Sequence, residues 1–180
     1  MAPMRAVMLE VDERLIAERH RLGLDKRDEM WEGVLHMVPP ASRRHQTIEF
    51  RLAKALDESV RARGLQILAG TGAFAADDDY KVPDIVVFDE EAASERGVDG
   101  APKLVIEIRS PGDETMDKVP WYLAQGAGAV LVVDRDSLEL TLVTASGQVG
   151  PGVEVVLPGL DVTLRSDGST LFVDGEALDL

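Results

Sequence analysis

Val82-Pro83-Asp84-Ile85-Val86-Val87-Phe88 and Lys103-Leu104-Val105-Ile106-Glu107-Ile108-Arg109-Ser110 are the two stretches whose reading decides the fold. Both are short, almost wholly apolar and rich in Val and Ile, as expected of strands buried on both faces of a sheet. Each carries one carboxylate. Asp84 follows a proline at the entrance to its strand, and Glu107 interrupts an apolar run. A carboxylate buried alone costs several kcal/mol, so each needs a charged neighbour, a hydrogen-bond network or a metal. On strands lying side by side, the pair suggests a divalent cation. Oxygen-only ligation favours Mg²⁺ or Mn²⁺ over zinc.

Upstream, Ser42 is placed to cap a helix in which Ile48, Leu52, Ala55, Leu56 and Val60 recur at three- and four-residue steps up to Gly64. That stripe should pack on the sheet. Earlier still, Glu10 to Leu24 has helical character, with Gly23 near its end. Trp31 to Val38 reads as a strand or tight hairpin stopped by Pro39-Pro40. Leu65–Leu68 and Gly72–Ala75 read as strands leading to the acidic turn Asp77-Asp78-Asp79, and Asp89 to Pro102 as a charged surface loop. Beyond Glu107, Ser110-Pro111-Gly112 is a turn, and Met116 to Gly126 a short helix. Ala129–Val133 is a buried strand and Leu138–Val143 a half-exposed one. The glycine-punctuated remainder gives short antiparallel strands at Val153–Leu157, Val162–Leu164 and Leu171–Val173. The expected architecture is one α/β domain over residues 1–180, its central mixed β-sheet flanked by helices and extended by β-hairpins.

With 180 residues, 45% of them hydrophobic and 29% charged, the chain has an ordinary globular composition and enough length for a real core. It has no cysteine, which excludes disulfides and thiolate metal sites. No apolar run approaches the roughly 20 residues that span a membrane, and the N-terminus lacks a signal-peptide pattern, so a cytoplasmic protein without membrane partners is expected. A formal charge of −14 argues against broad attraction to nucleic acid. A local basic patch with a bound metal reverses the sign where it matters. Arg43-Arg44-His45 and Arg61-Ala62-Arg63 are such clusters, each of which also reads as a solvated helix end. With His20, His36 and His45 the only histidines, a zinc hydrolase fits poorly, and neither a Gly-Xaa-Ser-Xaa-Gly elbow nor a P-loop is present.

The order of helix, strands, Pro83-Asp84, Glu107-Ile108-Arg109 and a following helix resembles the PD-(D/E)XK, restriction-endonuclease-like superfamily. More narrowly, it resembles the Uma-type restriction endonuclease family. The residues that carry the likeness are Glu32-Gly33-Val34-Leu35, Pro39-Pro40-Ala41-Ser42, His45-Gln46, Val82 to Val87, Glu107 to Pro111, Lys118-Val119-Pro120-Trp121-Tyr122 and Val132-Val133-Asp134. It runs from about Met30 to Val173, with residues 1–29 as an N-terminal helical extension. The resemblance implies a Mg²⁺- or Mn²⁺-dependent phosphodiesterase acting on nucleic acid, in the first place DNA. Asp84, Glu107 and the backbone carbonyl of Ile108 would be its metal ligands.

The basic catalytic group has two candidates. In the superfamily pattern a lysine stands two residues after the glutamate, where this chain has Arg109; arginine clamps phosphate well but cannot act as a general base. The Uma-type pattern draws its lysine from the next helix, four residues before a tyrosine, and Lys118 and Tyr122 fit. Pro120 lies between them and suggests that the helix begins near Val119, with Lys118 on its approach. Plainer readings stand beside these. Asp84 can simply open a strand, Glu107 can pair with Arg44, Lys103 or Lys118, and Lys118 can be a surface residue. His45 can cap or pack its helix, while Glu32 and Glu49 are candidate auxiliary acids. The sequence thus supports a metal-dependent endonuclease, dimeric because two strand cuts suit a twofold site. Its competitor is an inactive nuclease fold that serves as a binding or assembly module.

Overall fold

The computed structural model describes residues 7–8 by backbone alone, and residues 12–23 and 25–180 in full. Its elements begin with β1 (Val7–Met8), α1 (Glu13–Arg21), β2 (Glu29–Trp31), β3 (Val34–His36), α2 (Arg43–Arg61), β4 (Gln66–Ala69), β5 (Ala73–Ala76), β6 (Asp79–Lys81) and β7 (Ile85–Phe88). A 3₁₀ turn (Glu90–Ala92) leads into β8 (Ala93–Ser94), β9 (Gly97–Val98), β10 (Leu104–Arg109), α3 (Thr115–Ala124) and β11 (Ala129–Asp134). The chain closes with β12 (Leu140–Thr144), β13 (Gly147–Gly152), β14 (Glu154–Leu157), β15 (Val162–Ser166), β16 (Leu171–Val173) and β17 (Glu176–Ala177). The expected first helix is shorter than its sequence pattern. Asp12 caps it by accepting from the Arg14 N–H at 2.9 Å, and Glu10, Val11 and Leu24 lie outside the described residues.

The two apolar stretches become β7 and β10, antiparallel neighbours with Leu104 opposite Val87, Val105 opposite Val86 and Ile106 opposite Ile85. Continued by one residue, that register sets Glu107 opposite Asp84. The two strands sit at the centre of a six-stranded sheet in the order β13-β12-β11-β10-β7-β4. β10 and β11 run parallel, with α3 as the crossover between them, and the other pairs are antiparallel. This is the mixed sheet that the sequence led us to expect.

Both faces of β7 and β10 are apolar because both are covered. Ile85, Val87, Leu104, Ile106 and Ile108 pack with Ile48, Leu52, Leu56 and Val60 of α2. Val86, Phe88 and Val105 point the other way, onto Val119 and Tyr122 of α3. The sheet β14-β15-β16-β17 adds Val155, Leu157, Val162, Leu164, Leu171 and Val173 to the α2 side. A third sheet, β1-β3-β2-β6-β5-β9-β8, is built from short strands and carries Glu29 and Lys81. Gly128, at the turn into β11, has to be glycine-sized, since a Cβ there would lie 2.7 Å from the Lys103 carbonyl oxygen.

Two local expectations change. The segment Asp89 to Pro102 is not only a charged loop: it contains the 3₁₀ turn and the β8–β9 pair, and Val98 is fully buried in the α3-side core. One valine among charges has no periodicity to announce a strand. The third helix begins at Thr115 rather than near Val119, with Pro120 inside it. The proline removes one bond of the helical ladder, the one to the Met116 carbonyl, and the remaining packing of Val119 and Tyr122 holds the turn.

Truncating the α2 stripe should therefore be costly where it meets the sheet and cheap where it faces water. Leu52→Ala, at a fully buried position, should lower unfolding free energy by about 2–5 kcal/mol in urea denaturation. Phe50→Ala, at a position 62% exposed, should stay within about 0.5 kcal/mol of wild type.

Candidate active site

The buried face of α2 is apolar except at its N-terminal end. There Ser42 caps the helix by accepting from the His45 N–H at 3.3 Å, and His45 and Glu49, one turn apart, occupy positions that Ile48, Leu52 and Leu56 continue. This polar end of the stripe meets the point where the chain enters β7. His45 Nε2 lies 2.9 Å from Asp84 Oδ1 and 3.9 Å from Glu49 Oε2. The other Asp84 oxygen, Oδ2, accepts the Ile108 backbone N–H at 2.7 Å, which ties the start of β7 to the far end of β10.

A second carboxylate cluster forms on the α3 side. Lys118 Nζ donates to Glu107 Oε1 at 2.7 Å and to Glu29 Oε1 at 3.1 Å. The Tyr122 hydroxyl, one turn further along α3, donates to the same Glu107 oxygen at 2.6 Å. Glu29 is fixed in turn by the Val82 N–H at 2.9 Å and the Trp31 indole N–H at 2.8 Å. The Trp31 ring stacks on His36, and the Lys81 ammonium sits 4.4 Å from the ring centroids of both Trp31 and Trp121 while pairing with Asp79 at 3.4 Å. Burial lowers the Lys81 pKa despite that partner.

Asp84, Glu107, Ile108, Lys118, His45, Arg27 and Glu29 share the lining of one cavity of about 310 Å³. Arg27 enters from the segment between α1 and β2. It donates through Nη2 to Glu49 Oε1 at 2.8 Å and through Nη1 to Asp84 Oδ1 at 3.2 Å. Burial works against its charge, but the bonds to Glu49 and Asp84 prevail and raise its pKa. For Asp84, burial pushes upward, yet the His45 hydrogen bond, the Lys118 charge and the Ile108 N–H hold it below the usual carboxylate range. Glu107 behaves oppositely. Burial pushes it up to about 8 against the pull of Lys118, with Asp84 and Glu29 adding to the push. Lys118 is raised: burial opposes its charge, but Glu107, Glu29 and Asp84 overcome it.

The residues suit a divalent cation. Ligand atoms of His45, Glu49 and Asp84 lie within 4.8 Å of one another, close enough to share one ion.

Of the residues singled out in the sequence, Asp84, Glu107, Ile108 and Lys118 come together at the cavity. Arg109 stands elsewhere. It is half exposed and donates to Asp134 Oδ2 at 2.9 Å, outside the cavity lining. Glu32 lies in the exposed β2–β3 turn, away from the cavity, whereas Glu49 stands at the site. Of the suggested partners for Glu107, Lys118 is the one observed. Arg44 bonds the Arg135 carbonyl and Lys103 pairs with Asp89. Arg61 and Arg63 pair with Asp57 and Asp161 at the far end of α2, about 24 Å of helix beyond His45. Sequence reading missed Arg27 and Glu29. Glu29 stands two residues before Trp31, on the same face of β2, and reading that strand from Glu29 would have exposed it. Arg27 lies in a loop and leaves no periodic trace.

A mixed sheet with flanking helices and two acids at the ends of adjacent central strands is the arrangement of the restriction-endonuclease-like fold. The chain belongs to the Uma2 family, described as "Putative restriction endonuclease", whose pattern matches residues 14–168. Among solved structures, a crystal structure from Anabaena variabilis, described as a "putative nuclease belonging to DUF820", superposes with a TM-score of 0.64 at 21% identity. That match covers 74% of this chain and 83% of the other, and shows the common fold. A chain of a DrdV–DNA complex seen by cryo-electron microscopy matches at a TM-score of 0.40 and 16% identity, over 61% of this chain and 10% of the other. No curated protein matches the chain in sequence.

The raised Glu107 pKa makes stability fall with pH. Between its ordinary value near 4.5 and about 8, folded Glu107 keeps a proton that the unfolded chain has released. The stability it contributes is therefore present below that window and lost as pH rises through it. In denaturation series with a chelator present, the stability of wild type relative to Glu107→Gln should decline from pH 5 to pH 8. A flat difference would mean that Glu107 titrates at its ordinary value.

Proposed function

We propose that this chain is a Mg²⁺- or Mn²⁺-dependent endonuclease that hydrolyses phosphodiester bonds in DNA. The observation that carries the reading is the convergence of Asp84, Glu107 and Lys118, from two adjacent strands and the crossover helix, on one cavity. Family membership points to the same chemistry. In this reading Asp84, Glu107 and the Ile108 carbonyl hold the cation. Such a cation, when bound, lowers the pKa of a water and offsets charge that builds on the phosphate.

The protein's own groups supply position and charge. The Ile108 N–H and His45 lock Asp84, and Tyr122 fixes Glu107 in one orientation. An ammonium has three N–H donors, of which Lys118 gives one each to Glu107 and Glu29. The third can steer a water or a phosphate oxygen in the cavity, and its charge stabilises the crowded phosphorus transition state. Burial of Lys118 within α3 gives that ammonium a defined place. Arg109, engaged with Asp134 outside the cavity, is assigned a role mainly in stability. Exposed Arg43, at the start of α2 and near His45, is the basic residue best placed to meet the DNA backbone. A homodimer in the cytoplasm suits this activity, since a twofold pair of sites cuts two strands. No described helix is long and apolar enough to cross a membrane.

The test is cleavage of single- and double-stranded DNA and of RNA with Mg²⁺ or Mn²⁺. Asp84→Ala and Glu107→Ala should abolish turnover. Lys118→Ala should cost on the order of 10²–10⁴ in rate, the usual worth of one positioned catalytic group, and Arg109→Ala should cost less. A reversed ranking would move the basic role to Arg109. Absence of turnover in wild type on every substrate would favour the alternative of an inactive nuclease fold that binds or assembles, for which the internal cations Arg27 and Lys118 already supply neutralisation without a metal.

A further inference from the structure

We infer that Arg27 is an exchangeable internal counter-ion, held by Asp84 and Glu49 until a divalent cation displaces it and then free to grip the phosphate strand. The inference rests on the metal-dependent reading above and concerns a residue which that reading does not use.

One guanidinium bridges two carboxylates that come from different elements, Asp84 at the start of β7 and Glu49 on α2. Those carboxylates, with His45, form the group whose ligand atoms lie within 4.8 Å of one another. Arg27 therefore occupies Asp84 Oδ1, an oxygen that a cation would need in the reading above, together with a Glu49 oxygen beside it. Arginine is always charged, so it cannot leave by losing a proton. It leaves only if a stronger cation takes its partners.

The way out is built in. Its side chain is about one-third exposed and enters from the segment between α1 and β2 rather than from a strand. Arg27 also lines a second cavity, which shares Met37, Val38 and Pro39 with the first and is bordered by Arg19, Lys26 and Gln46. Among the described residues, no carboxylate borders that second cavity. In a chain of formal charge −14, this groove has three basic side chains in its lining; Arg19 is paired with Asp28 at 2.5 Å, which leaves Lys26 and a released Arg27 to meet a phosphodiester backbone. A guanidinium released from Asp84 would meet phosphate oxygens there in the paired geometry that arginine favours.

Two measurements on the full chain test this, one of Mn²⁺ affinity by calorimetry or paramagnetic resonance and one of DNA affinity. Wild type is compared with Arg27→Ala, with Arg27→Gln as a milder variant that keeps a hydrogen-bonding side chain, and with Asp84→Asn. Arg27→Ala should bind Mn²⁺ about tenfold more tightly or better, because charge-assisted hydrogen bonds no longer compete. Arg27→Gln should lie between it and wild type. With Ca²⁺ in place of Mn²⁺, both variants should bind a DNA oligonucleotide several-fold more weakly than wild type. Unchanged or weaker Mn²⁺ affinity in both Arg27 variants, with Asp84→Asn abolishing binding, would overturn the counter-ion role and leave the metal site intact. Mn²⁺ binding that survives Asp84→Asn, or is absent from every variant, would overturn both readings.

Discussion

Everything at the centre of this molecule depends on making two buried carboxylates tolerable on neighbouring strands. Asp84 and Glu107 are successive to the last paired residues of β7 and β10, so they face each other where the ladder ends and the strands part. The Ile108 N–H bonded to Asp84 completes the strand pairing with a side chain in place of a backbone carbonyl. This one bond ties sheet geometry to site geometry. The carboxylate cannot move without loosening the end of β10.

The two acids are then treated differently by their surroundings. Asp84 receives His45 from the start of α2 and Arg27 from the entering loop, which with the Ile108 N–H and the Lys118 charge keep it ionised. Glu107 faces α3 and is wholly enclosed with Lys118 and Tyr122, where burial outweighs the favourable charge. One acid is thus ready to hold a cation at any physiological pH, while the other must lose a proton to do so. The asymmetry arises because the N-terminal end of α2 and the body of α3 both reach the same strand ends and bring different side chains to them.

Much of this was legible before any coordinates. The alternation of β7 and β10 had collapsed into continuous apolar runs, which means two covered faces, and the α2 stripe named the helix that covers one of them. The same runs made Asp84 and Glu107 conspicuous, since a charge is visible against an apolar background. Arg27 and Glu29 had no such background. They lie in a polar stretch, Asp25 to Glu29, where one more charge carries no information until the tertiary fold brings it to a partner more than fifty residues away, as Arg27 to Asp84 and Glu29 to Val82. Pro120 misled for a related reason. Local chemistry argued for a helix start, and the burial of Val119 and Tyr122 against the sheet overruled it.

The column of Trp31, Lys81 and Trp121 gives the molecule a built-in optical probe. These are the only two tryptophans in the chain, and both rings contact one ammonium whose strand leads directly into Val82 and Asp84. Trp31 also reaches Glu29 through its indole N–H, and Trp121 is the residue before Tyr122. The indole fluorescence of the protein therefore originates within two contacts of the carboxylate cavity. Rearrangement of charge there is reported by the native chain, with no label attached and no background from indoles elsewhere.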